Sequence, residues 1–352
     1  MKILHSADMH LRSIDDERWK SLQSLLSVAR DQKIDVFVIS GDLFHKDRDA
    51  EMLRPKIREL FSDNEFPILI LPGNHDARLI SDMYFGRNVV LLNDLFQPCI
   101  IGNVAFYGFA FEPMDEHRVL DRLQQLNQHL LPDHTNILLF HGELLDVMFK
   151  RSDVGDDDES GYMPVRLSFF RELDIDYVLA GHFHTRFDIR PLPDGGYFVY
   201  PGSPVSITRR ETGRRKVNIF EVGSPPSEYL LDTPHYEEVI VTLDPFDKTD
   251  PVTIIKQRLD SVHPHSKVLL TVDGYFNKDT IGRNEKALAD EISAIAYPQC
   301  IEIRNEFRDV QQVLDDELFT VFLSKLEARN DTGIRRKHIK ELVIRAMIEA
   351  KK

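Results

Sequence analysis

Five short apolar runs in this chain each end on a polar side chain that can bind a metal ion. Each run has four to six consecutive residues that are mostly Ile, Leu, Val or Phe, with Gly or Pro nearby, which is typical of a buried strand. The runs occupy residues 2–7, 36–40, 66–71, 136–140 and 177–180. In an open α/β sheet, ligands bind beyond the carboxyl ends of the strands. The five runs therefore predict one shared site at that edge.

The polar residues at the ends of these runs form a set of metal ligands. The set comprises Asp8, His10, Asp42, Asn74, His141, His182 and His184. Seven ligands without a thiolate are too many for one structural zinc ion. Mixed nitrogen and oxygen donors suit two octahedral ions such as Mn²⁺, with Fe, Co or Zn as alternatives. We expect two divalent ions, bridged by Asp42, that clamp a phosphoryl group and lower the pKa of an attacking water.

The composition limits the class of protein and its surroundings. A net charge of -14 argues against a protein that coats nucleic acid by bulk positive charge, although bound divalent ions would reverse the sign locally. Cys99 and Cys300 form no Cys-x-x-Cys pattern and indicate a reduced compartment. The first run begins at Lys2, which leaves no room for a signal peptide, and no apolar stretch approaches the length of about 20 residues that spans a bilayer. We expect a soluble, intracellular protein.

The apolar periodicity predicts a first domain at residues 1–225. Helices with one apolar stripe are predicted at 16–32, 51–61 and 119–130. Further strands are predicted at 89–92 and 104–109, and a strand pair at 197–200 and 217–222. Partly alternating α and β elements favour two packed sheets flanked by helices. Residues 223–227, Gly-Ser-Pro-Pro-Ser, are the predicted linker.

Two smaller regions follow this linker. Residues 235–308 alternate strands and helices and predict a small α/β domain, which contains no cluster of metal ligands. Residues 314–352 predict a C-terminal helical tail. Short helices need a surface to pack on. The tail either packs back onto this chain or docks on a partner.

The metal motifs resemble those of the calcineurin-like metallophosphoesterases. That family carries Asp-x-His, Gly-Asp, Gly-Asn-His-Asp/Glu, a lone His and Gly-His-x-His, and this chain has all five in the same order. The resemblance implies a four-layer double-sheet sandwich, an α/β (α+β) fold. It implies that one ion is held by Asp8, His10, Asp42 and His184, and the other by Asp42, Asn74, His141 and His182. It also implies that His75 is not a ligand but contacts phosphate and protonates the leaving oxygen.

His45 narrows the resemblance within the superfamily. The Mre11/SbcD DNA-repair nucleases commonly carry Gly-Asp-Leu-Phe-His, as this chain does at residues 41–45, whereas phosphoprotein phosphatases carry an Asp at the last position. The loop at residues 200–204 and the small α/β domain resemble a loop and the DNA-capping domain of SbcD-type proteins. His45 is therefore expected to take part in catalysis, with a buried structural role as the alternative.

The Mre11/SbcD resemblance also has implications for activity and partners. It implies a Mn²⁺-dependent DNA nuclease in DNA repair or end processing, with 3′→5′ exonuclease and single-strand endonuclease activity. It implies a Rad50/SbcC-type ABC ATPase as partner, and a cytoplasmic location, on the nucleoid in a bacterium or archaeon. A homodimer is expected through the helices after the second and third strands. Residues such as Met52, Leu53, Ile57 and Leu60 supply either that surface or core.

Two charged segments have competing interpretations. The basic turn formed by Arg209, Arg210, Arg214 and Arg215 could contact DNA phosphates, which dominate DNA affinity, or could be an ordinary solvated hairpin. Residues 153–159 are strongly acidic but lack the regular ligand spacing of known Ca²⁺ loops, so a mobile surface loop is expected.

Two other functions compete with the nuclease interpretation. A small-molecule or nucleotide phosphodiesterase on the same fold would need no DNA-shaping domain, so the small α/β domain argues against it. A non-catalytic scaffold subunit would have lost metal ligands, and none is missing from the motifs.

Overall fold

The chain forms two compact units, which are described separately. The computed structural model describes residues 1–77, 84–147, 162–329 and 333–350. The units are Met1–Tyr236 and Glu237–Lys352. The acidic segment at residues 153–159 lies outside the described residues. Within the described residues, every helix is too short or too polar to cross a membrane.

The first unit is built from two six-stranded sheets. Its strands are Lys2–Ser6 (β1), Val36–Ser40 (β2), Ile68–Leu71 (β3), Val89–Leu91 (β4), Cys99–Ile101 (β5), Val104–Phe109 (β6), Thr135–His141 (β7), Glu143–Leu144 (β8), Pro164–Val165 (β9), Tyr177–Gly181 (β10), Asp188–Pro191 (β11), Tyr197–Tyr200 (β12), Lys216–Glu221 (β13) and Glu228–Leu230 (β14). The first sheet has the order β14-β13-β1-β2-β3-β4 and the second β11-β12-β10-β7-β6-β5. The short strands β8 and β9 pair with each other in parallel.

Helices cover the outer face of each sheet. They are Glu17–Asp31 (α1), Asp47–Ser62 (α2) and Glu116–Leu126 (α3), with a 3-10 turn at Leu167–Phe170. The alternation of side chains along β2 explains the layers: Phe37 and Ile39 pack with α1 and α2, whereas Val36 and Val38 pack between the two sheets. A further cluster joins the second sheet to α3. The result is a helix–sheet–sheet–helix sandwich, which confirms the predicted four layers.

Two sequence predictions about this unit were wrong. Residues 223–227 are not a linker, because β13 and β14 on either side of them pair as an antiparallel hairpin. The first unit therefore continues to Tyr236. The strands predicted as a pair at 197–200 and 217–222 lie in different sheets, since β12 pairs with β10 and β11, and β13 with β1 and β14.

The second unit has its own sheet and core. Its strands are His235–Leu243 (β15, which begins just before the boundary), Ser266–Phe276 (β16), Cys300–Asn305 (β17) and Arg308–Asp309 (β18). Its helices are Pro251–Asp260 (α4), Lys278–Ile281 (α5), Glu285–Ala296 (α6), Gln311–Leu314 (α7), Glu317–Glu327 (α8) and Gly333–Ala350 (α9). Ile255 of α4 and Ile292 of α6 are fully buried against the sheet.

The C-terminal helices pack back onto the second unit. Phe319 of α8 and Ile344 of α9 are buried in one cluster with Val310 and Val313, and Tyr275 of β16 packs against it. Other apolar side chains of these helices remain exposed, including Leu318 at 71% and Ile334 at 88% of their full area. Packing onto this chain therefore accounts for one apolar face of the tail.

Candidate metal centre

The candidate ligands lie where strands of both sheets end. The loops after β1, β2 and β3 of the first sheet carry Asp8, His10, Asp42 and Asn74. His141 ends β7, and His182 and His184 follow β10, both in the second sheet. The ligands therefore come from two sheets that end at the same place, whereas the strand-edge argument from sequence assumed one open sheet.

Four of these candidates have a backbone conformation that L-residues rarely adopt. The φ angle is 55° at Asp8, 47° at His10, 52° at Asp42 and 104° at His182. Such strain costs about 1–3 kcal/mol and persists only where the surrounding structure imposes it. Here the amides of Asp8 and His10 donate to the carbonyls of Gly41 and Asp42, at 3.1 and 2.9 Å, which holds the first two loops together.

Two glycines allow the loops to approach each other closely. A Cβ atom on Gly41 would lie 1.9 Å from His141 Nδ1, and one on Gly73 would lie 2.2 Å from Asp42 Oδ1. Both distances are far shorter than a van der Waals contact. Only glycine fits at these positions while His141 and Asp42 stay in place.

Asp8, His10 and His184, together with Asp42, form the first group of candidate ligand atoms. The Nε2 atoms of His10 and His184 lie 3.2 Å apart. His184 Nε2 is 3.7 Å from Asp8 Oδ1, and His10 Nε2 is 3.6 Å from Asp42 Oδ2. All four side chains are 2% exposed or less. Four donor atoms thus converge on one small buried volume.

Asp42, Asn74 and His141 form the second group, to which Asp8 also belongs, because the ligand atoms of Asp8, Asp42 and His141 lie within 4.8 Å of one another. His182 borders this group. His141 Nε2 lies 2.9 Å from Asn74 Oδ1 and 3.4 Å from Asp42 Oδ2. The rings of His141 and His182 have centroids 5.3 Å apart. The carbonyl of Ser40 is 2.8 Å from His141 Nδ1, so the neutral ring donates there and keeps its lone pair on Nε2. Asp42 Oδ2 faces one imidazole of each group, which is the position of a bridging ligand.

The residues present fit two divalent cations. Asp42 Oδ2 and His182 Nδ1 are buried without a hydrogen-bond partner among the described residues. Unpaired buried polar atoms are costly unless an ion or water satisfies them. The donor set of carboxylates, an amide oxygen and imidazoles is one that Mn²⁺, Fe, Co and Zn all accept.

The pKa values of the cluster also favour a positive charge next to the buried carboxylate of Asp42. Burial acts to raise the pKa of the Asp42 carboxyl, but the neighbouring His141 and His10 hold it well below its usual value. Burial acts to lower the pKa of His141, but Asp42 and Asp8 raise it to about 10. The cluster thus holds a proton on His141 beside an ionised Asp42. A divalent cation would displace that proton on binding.

His75 and His45 form a stacked pair beside the first group. Their ring centroids are 5.3 Å apart, and the His75 ring lies 4.7 Å from that of His10. The His75 amide donates to Asp42 Oδ1 at 2.9 Å, and the carbonyl of His45 accepts from His75 Nδ1 at 2.9 Å. The structure therefore places both sequence-predicted histidines at the rim of the ligand cluster.

Arg12 contacts this pair from the loop after β1. Its guanidinium donates to His45 Nε2. Burial and the charge of Arg12 lower the pKa of His45 to about 4. Sequence analysis did not single out Arg12, because an arginine next to a metal motif has no distinctive spacing.

Asp76 supports the loop of the Gly-Asn-His-Asp motif. It is fully buried, and its two oxygens accept from the amides of Gly73, at 2.8 Å, and Phe44, at 3.0 Å. These bonds join the loops after β2 and β3. Burial and the nearby charge of Asp42 raise the pKa of Asp76 to about 7.

The basic turn after β12 has two different kinds of arginine. Arg215 is 3% exposed and donates to the carbonyls of His184, Thr185 and Ser203. A guanidinium buried in this way does not reach a DNA phosphate, which corrects the expectation for Arg215. Arg209, Arg210 and Arg214 are exposed, and their contact with DNA stays a prediction.

Two glutamates that sequence analysis missed lie next to the two histidines of the Gly-His-x-His motif. Glu143 Oε1 is 3.3 Å from His182 Nε2, and Glu211 Oε1 is 3.6 Å from His184 Nδ1. Burial acts to raise the pKa of Glu211, but His184 and backbone donors lower it to about 2. Glu143 follows the lone histidine by two residues, which is the only sequence signal that could have indicated either of them.

Comparison with known proteins gives one family and several relatives. The family model of calcineurin-like phosphoesterases matches residues 1–186. The SbcD component of the SbcCD nuclease from Staphylococcus saprophyticus is 23% identical over 390 residues, an alignment that covers 100% of this chain and 100% of that protein. The DNA double-strand break repair protein Mre11 of Saccharolobus solfataricus is 25% identical over 262 residues, which cover 70% of this chain and 65% of that protein.

Two solved structures are also similar to this chain. A dimetal phosphatase from Danio rerio aligns with a TM-score of 0.42 and 12% identity, over 62% of this chain and 91% of its own. GAP50, the anchor in the inner membrane complex of Plasmodium, aligns with a TM-score of 0.39 and 10% identity, over 62% of this chain and 80% of its own.

Proposed function

Because the chain belongs to the calcineurin-like phosphoesterase family, whose model matches residues 1–186, we propose that it is a two-metal DNA nuclease of the SbcD/Mre11 type. Family membership makes it a metal-dependent phosphodiesterase. The observation that carries the step to DNA is the alignment with the SbcD component of the SbcCD nuclease, which covers the whole of both chains. That alignment includes the second unit, beyond the catalytic family model. A phosphoesterase for small molecules has no need of such a unit.

In this proposal the seven buried side chains hold two ions, of which Mn²⁺ suits the donors best. Asp8, His10, Asp42 and His184 would hold one ion. Asp42, Asn74, His141 and His182 would hold the other. When bound, the ions supply positive charge to the phosphoryl oxygens and lower the pKa of the attacking water.

His75 acts as the general acid in the proposed reaction. Its backbone amide is tied to Asp42 Oδ1 and its Nδ1 to the carbonyl of His45, so the ring is held beside the ligand cluster. A ring that donates from Nδ1 exchanges its second proton at Nε2, where the leaving oxygen of the DNA strand would receive it.

His45 and Arg12 border the same side of the cluster. With its pKa lowered to about 4, His45 is neutral at physiological pH and accepts from Arg12. We assign His45 to holding the phosphate and the His75 ring, rather than to proton transfer. Arg209, Arg210 and Arg214 would contact the DNA backbone, which makes cleavage sensitive to salt.

The names of the relatives also suggest partners. The SbcD component of an SbcCD nuclease works with an SbcC component, and we propose that this chain works in the same way with a Rad50/SbcC-type ATPase in the cytoplasm. We also propose a homodimer. Of the residues expected at its surface, Leu53 and Ile57 are core, whereas Met52 is 65% exposed on α2 and remains available.

The experiment compares three substrates in the presence of Mn²⁺. The full chain is incubated with linear duplex DNA, circular single-stranded DNA and a bis-aryl phosphate, and an EDTA-treated sample and an Asp42→Ala variant serve as controls. We expect cleavage of both DNA substrates by the wild-type chain and by neither control. Hydrolysis of the bis-aryl phosphate with both DNA substrates intact would contradict the nuclease and support a small-molecule phosphodiesterase. Wild-type protein that binds no metal would instead support the scaffold alternative.

A further inference from the structure

Each histidine of the Gly-His-x-His motif has a carboxylate behind it, on the side away from the ligand cluster. For His184 the carboxylate is that of Glu211, and for His182 it is that of Glu143. The two contacts use different ring nitrogens. We take the nitrogen opposite each carboxylate as the one that would bind an ion.

His184 directs Nε2 into the cluster and Nδ1 towards Glu211. Its Nε2 atom lies 3.2 Å from His10 Nε2, while Nδ1 lies 3.6 Å from Glu211 Oε1. A neutral imidazole carries one N–H. A carboxylate facing Nδ1 favours the tautomer with the proton there, and this leaves the lone pair on Nε2 for an ion.

His182 has the opposite arrangement. Its Nε2 atom lies 3.3 Å from Glu143 Oε1, while Nδ1 is buried without a hydrogen-bond partner among the described residues. Glu143 thus favours the tautomer with the proton on Nε2 and the lone pair on Nδ1. The backbone amide of His182 donates to both oxygens of Asp8, at 3.0 Å each, so the residue is also held from its main chain.

Both carboxylates are held in place by bonds that do not involve histidine. Glu211 is fully buried and accepts from Ser203 Oγ at 3.0 Å, from the amide of Ile207 at 2.8 Å, and from the amide and hydroxyl of Thr208 at 3.2 and 3.1 Å. Glu143 Oε2 accepts from the amide of Met163 at 2.9 Å, which leaves Oε1 to face His182. Each carboxylate is therefore a fixed acceptor.

Arg215 completes the support of His184. It donates from its guanidinium to the carbonyl of His184 and to the carbonyl and hydroxyl of Ser203, the same hydroxyl that donates to Glu211. The buried positive charge of Arg215 offsets the negative charge of Glu211. Arg215 thus serves the metal centre through the main chain of a ligand.

We propose that Glu143 and Glu211 are positioning residues that act separately, Glu143 on the ion bound by His182 and Glu211 on the ion bound by His184. Carboxylates behind ligand imidazoles orient the ring, fix its tautomer and make it more basic, and their loss typically lowers metal affinity about 10–100-fold. The proposal rests on the two-metal centre proposed above. It adds that each ion has its own supporting carboxylate.

The test is Mn²⁺ binding to the full chain, measured by calorimetry and by electron paramagnetic resonance in the absence of DNA. In Glu143→Gln and in Glu211→Gln we expect one Mn²⁺ to bind with wild-type affinity and the other about 10–100-fold more weakly. Asp176→Asn is the matched control, because Asp176 accepts from the amide of Asn136 at 2.8 Å and, among the described residues, forms no hydrogen bond with a candidate ligand. It should bind both ions as the wild-type chain does.

Double variants separate positioning from general damage to the fold. In a chain that already carries His182→Ala, Glu143→Gln should cause no further loss of Mn²⁺ affinity. In a chain that carries His184→Ala, it should cause its full loss. Glu211→Gln should show the reverse. Two glutamine variants that bind both ions normally, or that weaken both ions equally in every background, would overturn the proposal. Because no DNA is present, a chain that binds Mn²⁺ in this pattern but cuts no DNA would contradict only the nuclease function.

Discussion

Three histidines of the first unit lie in different surroundings, and each kind of surroundings suits a different role. His141 lies between Asp42 and the carbonyl of Ser40, so it is placed to bind an ion. His75 donates to a main-chain carbonyl at the rim of the cluster, so it is placed to transfer a proton. His5 is enclosed within β1, where burial lowers its pKa to about 3. In the proposed function the same side chain thus serves as a metal ligand, a general acid or a neutral core residue.

The assignment of His75 predicts that its loss separates turnover from metal binding. His75→Ala should bind two Mn²⁺ ions but cut DNA about 10²–10⁴-fold more slowly, because general acid catalysis contributes about that much. Asp42→Ala should lose Mn²⁺ as well as activity. Metal content and single-turnover cleavage are measured on the same preparations. An equal loss of metal in the two variants would contradict the assignment of His75 as a non-ligand.

His5 predicts that the metal-free chain loses stability as the pH falls. The folded chain binds a proton at His5 only near pH 3, whereas the unfolded chain binds it near 6.5, so the free energy of unfolding decreases as the pH falls below 6.5. Between pH 7 and pH 5 this one group contributes a loss of about 2 kcal/mol. His5→Leu should lack that loss.

The measurement uses the single tryptophan. Trp19 is buried in α1, so its fluorescence in urea reports the unfolding of the first unit in EDTA. His117→Leu, at an exposed position on α3, is the control and should keep the wild-type pH dependence. If His5→Leu also kept the wild-type pH dependence, a group other than His5 would cause the loss of stability.

At the scale of single elements, the strands and helices near the site could be predicted from the sequence. The observed β2 matches residues 36–40, and α1 is one residue shorter at each end than predicted. Buried parallel strands leave continuous apolar runs, and amphipathic helices leave a stripe, so both are visible locally. The assignment of strands to sheets was not visible. β12 and β13 have similar apolar patterns, and only long-range pairing places them in different sheets.

The candidate site could be predicted as far as its motifs extend. The structure brings Asp8, His10, Asp42, His141 and His184 together in groups that could hold a metal ion. Asn74 and His182 lie beside His141, and the two rim histidines stack on each other. Glu211 and Arg215 could not be predicted, because their roles come from a fold that returns the segment after β12 to the back of His184. A glutamate or arginine in a charged segment usually lies on the protein surface. Only their burial in the structure distinguishes Glu211 and Arg215 from such surface residues.

The turn after β2 predicts that alanine substitution has different effects at two glycines. Both Gly41 and Gly195 have a positive φ angle, 95° and 108°, so alanine costs about 1–2 kcal/mol of backbone strain at either position. At Gly41 the new Cβ would also lie 1.9 Å from His141 Nδ1, whereas at Gly195 it would meet nothing within 4 Å. Gly41→Ala should therefore displace His141 and weaken Mn²⁺ binding about 10–100-fold.

Gly195→Ala is the matched control for this prediction. It should lower the free energy of unfolding by the strain alone and bind Mn²⁺ normally. Calorimetric Mn²⁺ titration and urea unfolding are compared for the two variants. Equal Mn²⁺ affinities would show that the loop after β2 can move without disturbing His141.

At the scale of the whole molecule, the candidate metal centre and the second unit belong to separate hydrophobic cores. The clusters around the sheets of the first unit contain only residues before Glu237, and the clusters of the second unit contain only residues after it, within the described chain. The candidate ligands all belong to the first unit. A chain with two such cores can unfold in two steps.

Mn²⁺ should therefore stabilise one unit and leave the other unchanged. A ligand at about 100 times its Kd adds about 2.7 kcal/mol to the unfolding of the unit that binds it. Trp19 and Cys99 report on the first unit, and the half-buried Cys300 reports on the second. We expect Mn²⁺ to shift the urea transition of Trp19 fluorescence and of Cys99 labelling, but not that of Cys300 labelling, as measured by thiol pulse-labelling and peptide mass spectrometry. An equal shift at Cys300 would mean that the two cores unfold together.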